Sequence, residues 1–336
     1  MGYYRPLPQT GPARPEGALS LAGGWCWFDT VEVLARDAAP RLMPARDLPE
    51  AVRTRLITPR APLASLEMTA PQIMGILNVT PDSFSDGGRH FDPAQALSHA
   101  RAMAASGAAI LDVGGESTRP GAAPVPLDDE IARTAPVIAA IRAEIGLPIS
   151  IDTRKTAVAR AAVRAGANMV NDVAGFTFDP ALAPFAALHA LPVCVMHAQG
   201  TPETMQQDPR YDDVVLDVYD WLSARVEALI ALGIPRARIA VDPGIGFGKT
   251  RGHNLRLLQN LSLFHGLGCP VLLGASRKRF IGDVTGTPVA ADRVPGSLAV
   301  AVQAIGQGVQ ILRVHDVAET RAARDMWQAV TCAPQA

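Results

Sequence analysis

The chain has 336 residues, of which 48% are hydrophobic and 19% charged, and its formal net charge is −1. This composition is typical of a globular protein with a large core, and it excludes a disordered chain. Because the charge is near neutral and basic residues do not cluster, we do not expect nucleic acid as a partner. No apolar run approaches the roughly 20 residues that cross a bilayer, and the N-terminal segment lacks a signal-peptide core. We therefore expect a soluble, cytoplasmic protein that makes no membrane contact.

The four cysteines are far apart in the sequence and form no CxxC pair. They predict neither a disulfide framework nor a zinc site. Cys194 lies within an apolar run and is interpreted as a small buried apolar residue.

Residues 1–70 differ from the rest of the chain, because proline recurs in them and helical periodicity is poor. The segments Trp25–Phe28 and Thr30–Val33 could form a short strand pair. We interpret residues 1–70 as an N-terminal extension or small subdomain of unknown role, and residues 71–336 as the main domain. The composition of the extension suggests no catalytic group, so a chain beginning near Thr69 is expected to keep the ligand binding of the main domain.

From Ile73 onward, short apolar runs alternate with Ala- and Leu-rich helical stretches. The runs are Ile73–Val79, Ala108–Val113, Pro148–Ile151, Met169–Val173, Pro192–Met196, Ile239–Val241, Val271–Gly274 and Val309–Val314. This alternation is the pattern of βα units. Eight such units predict an α/β fold, a closed (β/α)8 TIM barrel with an N-terminal extension, since an open doubly wound sheet usually has fewer strands.

Polar residues follow each of the apolar runs. The first run leads into a polar, Gly-rich loop that ends at Gly88. The polar residues at the run ends are Asn78, Asp112 with Glu116, Asp152, Asn171, His197, Asp242, Ser276 with Lys278, and Arg313 with His315. A helix cap or a satisfied core residue would explain any one of them. Together they indicate an active site, because the carboxyl ends of the strands converge on one rim of a barrel.

Four of these residues would form a pocket for a flat heterocycle: Asp152, Asn171, Asp242 and Lys278. Their donors and acceptors match an edge that carries an amino group, ring N–H groups and a carbonyl, and a carboxylate pairs well with an amidine-like edge. Two alternatives remain. Asp152 could instead cap the helix that begins near Lys155, and Lys278 could lie in a solvated basic turn.

A second set of residues is suited to an anion and a metal. Arg119, Arg313 and His315 can donate to a phosphate group. Asn78, Asp82 and Asp86 add oxygen atoms for a hard cation, and Mg²⁺ often joins a few protein ligands to a diphosphate.

The loop Asp242–Thr250 has the glycine content of a phosphate-binding loop but not its spacing. Pro243 stands where the motif requires a glycine, so the pattern fails. We interpret Pro243 as part of a turn that presents the Asp242 carboxylate.

Eight segments of the chain are similar to motifs of the dihydropteroate synthase family and occur in the family's order. They are Ile73–Gly88, Gly107–Gly121, Ile149–Lys155, Asn171–Val173, Val195–Gly200, Asp242–Thr250, Gly274–Gly282 and Arg313–Val317. The resemblance covers about residues 72–330. Ala198 stands where members often have Met, and residues 1–70 lie outside the family's core.

The resemblance implies a TIM-barrel transferase that joins (7,8-dihydropterin-6-yl)methyl diphosphate to 4-aminobenzoate in folate biosynthesis. It implies that the pterin binds to Asp152, Asn171, Asp242 and Lys278. It implies that diphosphate binds to Asn78, Arg119, Arg313 and His315, with Mg²⁺ near Asn78 and Asp86. It implies that aminobenzoate lies against Thr118, Pro120, Phe247 and Ser276. The catalytic residues would be Asp152, Lys278, Arg313 and His315.

The resemblance also implies a homodimer and a target of sulfonamides. Two alternatives from the same fold are a pterin-binding methyltransferase domain and a non-catalytic pterin-binding paralogue. A paralogue should have lost the anion-binding residues, whereas this chain has Arg119, Arg313 and His315.

Overall fold

The computed structural model describes residues 2–80, 93–117, 121–201 and 204–331. From residue 2 onward, the extension contains five short strands, one α-helix and a 3-10 helix at Ala45–Asp47. The strands and the α-helix are β1 (Tyr3–Pro6), β2 (Leu19–Ser20), β3 (Trp27–Phe28), β4 (Thr30–Ala35), β5 (Ala38–Pro44) and α1 (Glu50–Ile57). Strands β1, β4 and β5 form an antiparallel sheet in the order β1-β4-β5, and β2 pairs with β3.

Strands β3 and β4 form where the sequence predicts them, but the predicted pairing between them is wrong. Strand β3 pairs with β2, and β4 pairs with β1 and β5. Only Asp29 lies between β3 and β4, and a hairpin needs at least about two loop residues.

Eight parallel strands form the main sheet, and each coincides with one of the apolar runs of the sequence. They are β6 (Gln72–Asn78), β7 (Ile110–Gly114), β8 (Ile149–Asp152), β9 (Met169–Asp172), β10 (Val193–Met196), β11 (Ile239–Asp242), β12 (Leu272–Leu273) and β13 (Ile311–Val314). Their order is β11-β10-β9-β8-β7-β6-β13-β12. A parallel bridge between Val241 and Val271 joins the two ends of the sheet. The predicted (β/α)8 barrel is confirmed.

Helices surround the barrel. They are α2 (Pro93–Ala105), α3 (Leu127–Glu144), α4 (Thr156–Ala165), α5 (Leu182–Leu188), α6 (Val214–Ala231), α7 (Arg251–Gln259), α8 (Arg279–Thr285), α9 (Val294–Gly306) and α10 (Val317–Thr331). The first turn of α3 contains three acidic residues, which the helix dipole stabilises. No helix within the described ranges is long and apolar enough to cross a membrane.

The lower half of the barrel interior is an apolar cluster. Its strand residues are Met74, Ile110, Met169, Cys194, Ala240, Leu272 and Ile311. Leu63, Leu66 and Met68, which precede the first barrel strand, are buried in the same cluster. Residues 63–68, here called the floor segment, therefore belong to the barrel core. The boundary at residue 70 taken from the sequence separates residues that pack together.

The extension packs on the outside of the barrel and has a small core of its own, which includes Phe28 and Val31. The hydroxyl group of Tyr3 donates to Asp220 Oδ2 on α6 at 2.8 Å. Arg36 forms ion pairs with Asp217 and Asp220 at 2.7 and 2.8 Å. These contacts place the extension against the side of the barrel near α6.

Candidate active site

One row of residues crosses four neighbouring strands at the rim. Asn78 pairs in register with Gly114, Gly114 with Asp152, and Asp152 with Asn171. A Cβ atom on Gly114 would lie 3.5 Å from Asp152 Cβ and 3.7 Å from Asn78 Oδ1 and from Asp152 Oδ2. The glycine therefore leaves room between the Asn78 amide and the Asp152 carboxylate, and both oxygen atoms border that space.

Arg313 lies between two carboxylates inside the barrel. Its Nε donates to Asp112 Oδ2 at 2.6 Å, and its Nη2 donates to Asp152 Oδ2 at 2.7 Å. Asn171 Nδ2 donates to the same Asp112 oxygen at 3.1 Å. We call Asp112, Asp152, Asn171 and Arg313 the arginine cluster. With two carboxylates and one guanidinium, its charge is negative when both acids are ionised.

Asp112, at the end of its apolar run, has a role that the sequence does not predict. The structure places it fully buried and bonded to Arg313 and Asn171. The partners of Arg313 in the structure are the carboxylates beside the heterocycle pocket, and its contact with diphosphate stays a prediction. The only sequence signal for Asp112 was a charge within an apolar strand, which requires a partner when buried.

A cavity opens above the arginine cluster. Its lining residues are Asn171, Val173, Met196, Asp242, Phe247, Gly274, Lys278 and Arg313. Lys278 Nζ donates to the carbonyl oxygen of Ile245 and lies 4.4 Å from the centroid of the Phe247 ring. The structure thus brings three of the predicted heterocycle-binding residues to one cavity, and Asp152 is joined to it through Arg313.

The structure excludes the alternative roles that the sequence left open for Asp152 as a helix cap and for Lys278 as part of a solvated turn. The backbone N–H of Thr156, in the first turn of α4, donates to Asp179 Oδ2 at 2.8 Å, so Asp152 is not the cap of that helix. The Lys278 side chain contacts Phe247 and lines the cavity, so it does not extend into solvent.

Burial changes the acidity of the cavity groups. It raises the pKa of Asp152 to about 7; Arg313 opposes this change and the nearby Asp112 charge adds to it. It lowers the pKa of Lys278 to about 8, although Asp242 favours the ammonium form. It also raises the pKa of Asp242. Groups of opposite charge that titrate near neutral pH in one cavity are typical of a catalytic site.

The second predicted set is only partly described. Ser276 follows β12 and His315 follows β13; the Ser276 Oγ accepts the backbone N–H of His315 at 3.2 Å and lies 3.1 Å from His315 Nδ1. Thr118, Arg119, Pro120, Asp82 and Asp86 lie outside the described residues.

Asn78 is the described member of the predicted metal site. Within the described ranges no group of three or more His, Cys, Asp or Glu side chains could hold a metal ion. The Asn78 amide oxygen is nevertheless a suitable ligand, because Mg²⁺ prefers oxygen atoms and often takes most of them from phosphate and water.

The loop after β11 is a tight turn built on glycine. Gly244, Gly246 and Gly248 have φ values of +68°, +84° and +62°, a region that other residues rarely occupy. A Cβ on Gly244 would lie 1.8 Å from the His197 carbonyl oxygen. This close approach requires glycine at position 244, and the positive φ values favour glycine at 246 and 248.

His197 and Lys249 form a buried pair that the sequence analysis did not foresee. His197, noted at the end of its strand, is 5% exposed, and burial lowers its pKa to about 2. Its Nδ1 lies 2.9 Å from the Nζ of Lys249, which is 2% exposed. Neither residue is among those that line the cavity.

Comparison with known proteins identifies the family of the chain. Residues 74–315 match the family described as pterin binding enzyme. Over 256 residues the chain is 46% identical to dihydropteroate synthase of Escherichia coli K12, an alignment that covers 76% of this chain and 90% of the relative. The chain belongs to the dihydropteroate synthase family.

Two solved structures support the same assignment. A Yersinia pestis dihydropteroate synthase in complex with a sulfonamide drug is 46% identical, with a TM-score of 0.75 over 79% of this chain and 96% of that chain. The Xanthomonas albilineans dihydropteroate synthase in complex with 7,8-dihydropteroate is 44% identical, with a TM-score of 0.73 over 80% of this chain and 97% of that chain. The chain is therefore a transferase of folate biosynthesis, and the alignments leave most of its N-terminal extension unmatched.

Proposed function

We propose that the cavity joins (7,8-dihydropterin-6-yl)methyl diphosphate to 4-aminobenzoate and releases 7,8-dihydropteroate and diphosphate. The observation that carries this proposal is the arginine cluster beneath a cavity lined by Asn171, Asp242 and Lys278. Its carboxylates can accept from the amino and ring N–H groups of a pterin, and Lys278 can donate to the ring carbonyl or nitrogen.

The reaction begins with the bond between the methylene carbon and the diphosphate oxygen. Its electron pair leaves with diphosphate, and the electron-rich dihydropterin spreads the resulting positive charge over its ring. The negative charge of Asp112 and Asp152 stabilises this cation, because it acts in a buried site that needs no reorganisation. The neutral amine of aminobenzoate then attacks the methylene carbon, and the new ammonium loses one proton to solvent.

The leaving group is held on the other side of the site. Arg313, His315 and Arg119 would bind diphosphate. Asn78 and Asp86 would hold Mg²⁺, whose positive charge would stabilise the departing diphosphate. Ser276, Phe247, Thr118 and Pro120 would form the aminobenzoate site.

Release of diphosphate tests the function. We expect release when both substrates are supplied, in amounts equal to the dihydropteroate formed. Pterin binding without any diphosphate release would favour the non-catalytic paralogue or the methyltransferase domain instead.

We expect a narrow, bell-shaped dependence of kcat/KM on pH. kcat/KM should rise as the pH increases through about 7, where Asp152 becomes ionised, and fall through about 8, where Lys278 loses its proton. Lys278→Arg should move only the alkaline limb to higher pH, since a guanidinium does not titrate there. An alkaline limb at the same pH in that variant would contradict the assignment of Lys278.

Removal of magnesium is expected to abolish most of the activity. Diphosphate without a cation is a poorer leaving group, so turnover should fall after exhaustive chelation and return when Mg²⁺ is added. Asn78→Ala should raise the Mg²⁺ concentration needed for half-maximal activity. Full turnover in chelator would remove the metal from the mechanism.

We also propose that the chain is a cytoplasmic homodimer and that sulfonamides compete with aminobenzoate. The dimer is what the resemblance to the family implies, and the Yersinia pestis complex with a sulfonamide drug supports the inhibition. Light scattering of the purified chain, and inhibition measured at several aminobenzoate concentrations, test the two proposals separately.

A further inference from the structure

The amine of Lys249 is buried beneath the turn that carries Phe247. Its Nζ donates to the Phe247 carbonyl oxygen at 3.0 Å and to the His197 carbonyl oxygen at 3.4 Å, and lies 2.9 Å from His197 Nδ1. His197 follows β10 and Phe247 follows β11, so one amine connects the loops after two neighbouring strands.

The Lys249 amine can use all three of these partners in either protonation arrangement. An ammonium group would donate to both carbonyls and to a His197 ring that carries its proton on Nε2. A neutral amine would donate to both carbonyls and accept a hydrogen bond from the Nδ1–H group of His197. Burying an amine is costly unless its bonds are satisfied, and here every partner belongs to the two loops that border the cavity.

Other side chains hold the residues on each side of Phe247. Gln206 donates to the Gly246 carbonyl at 2.6 Å, and Asn254 accepts the Gly246 N–H at 2.7 Å. The Tyr211 hydroxyl donates to the Gly248 carbonyl at 2.7 Å. Lys249 donates to the carbonyl oxygen of Phe247, which lies between Gly246 and Gly248. The Phe247 ring lies beside the Lys278 amine in the cavity.

We propose that Lys249, with His197, is a positioning residue that fixes the Phe247 ring against the Lys278 ammonium as a wall for the arylamine substrate. Lys249 acts through the Phe247 peptide and touches no reacting atom. This inference rests on the proposed function, because it takes Phe247 as part of the aminobenzoate site.

The variant Lys249→Met keeps the length of the side chain and removes its hydrogen bonds. We expect KM for aminobenzoate to rise roughly tenfold, because small errors in the position of a binding group are costly. KM for the pterin diphosphate should change less than about twofold. In a Phe247→Ala background, Lys249→Met should cause no further rise in KM, since the ring that it positions is gone.

Tyr211→Phe is the matched control, since it removes a hydrogen bond to the same turn at Gly248 and leaves the Phe247 peptide in place. Both KM values of this control should stay within about twofold of the wild type. Equal rises in both KM values for Lys249→Met, or additive effects with Phe247→Ala, would overturn the inference and leave only a stabilising role.

Thermal denaturation shows whether Lys249→Met is folded. If it is not, His197→Gln and His197→Ala replace it, because glutamine can still bond to the amine and alanine cannot. If KM for aminobenzoate rises in His197→Ala but not in His197→Gln, the inference is supported. If the two variants have the same KM for aminobenzoate, it is overturned. The wild type is assayed alongside: absence of turnover there refutes the proposed function, whereas wild-type turnover with an unchanged Lys249 variant refutes the positioning role alone.

Discussion

Replacement of Asp152 by Asn is expected to lower kcat by about 10²–10³, the typical cost of removing one preorganised electrostatic contact. The amide has the same shape as the carboxylate but cannot offset the positive charge that develops on the pterin. Arg313 keeps its bond to Asp112 in the variant, so the fold should be little affected. The measurement is single-turnover formation of dihydropteroate, with circular dichroism to verify folding.

Asp172→Asn is the matched control for this substitution. Asp172 is fully buried and, like Asp152, ends a barrel strand, but its carboxylate accepts the backbone N–H groups of Ala174 and Phe176, each at 2.7 Å. Its replacement should cost about 1–3 kcal/mol of stability, because an amide satisfies fewer of these donors, while kcat stays near the wild-type value. Near-wild-type kcat in Asp152→Asn, or an equal loss in both variants, would contradict the special role of Asp152.

Much of the fold could be predicted from the sequence for one physical reason. Strands of a parallel barrel are buried on both faces, so they appear as short apolar runs, and helices between them complete the pattern. The extension lacks this regularity. Its strands are short, and β1 ends at Pro6, far from β4 in the sequence, so the pairing of β4 with β1 could not be inferred from local pattern. Strand β5 follows β4 after only Arg36 and Asp37, and it pairs with β4 as a local hairpin.

The part of the site that could be predicted consists of the polar residues at the C-terminal ends of the apolar strands. Asn171, Asp242 and Lys278 were found in this way and line one cavity. The partners of these residues were not predictable, because they depend on register and on distances across the barrel. Arg313 and Asp112 are 201 residues apart in sequence, yet their side chains are bonded.

The burial of Lys249 could not be predicted from the sequence either. A lysine beside glycines in a polar loop is expected to be solvated, and nothing in the local sequence indicates a buried partner. Only the fold shows that His197, 52 residues earlier, supplies one.

A chain that begins at Thr69 is expected to be largely unfolded, whereas one that begins at Ala61 should fold. The difference between them includes the floor segment, whose Leu63, Leu66 and Met68 side chains are 0%, 7% and 1% exposed inside the barrel. Burial of three such side chains contributes roughly 5–9 kcal/mol, which is comparable with the whole stability of a typical domain of about 5–15 kcal/mol. This expectation replaces the one drawn from the sequence, in which a chain that begins near Thr69 keeps pterin binding.

Both truncated chains lose the contacts of the extension with α6, so the comparison isolates residues 61–68. Urea denaturation and calorimetric titration with a pterin measure folding and binding in each. In the full-length chain, Leu63→Ala should destabilise by about 2–5 kcal/mol, as expected for a cavity in a packed core, and Leu42→Ala, at a side chain 66% exposed on β5, should have little effect. If the chain from Thr69 binds pterin as tightly as the chain from Ala61, the barrel closes without its floor segment, and the apolar cluster of the lower half is stable on strand residues alone.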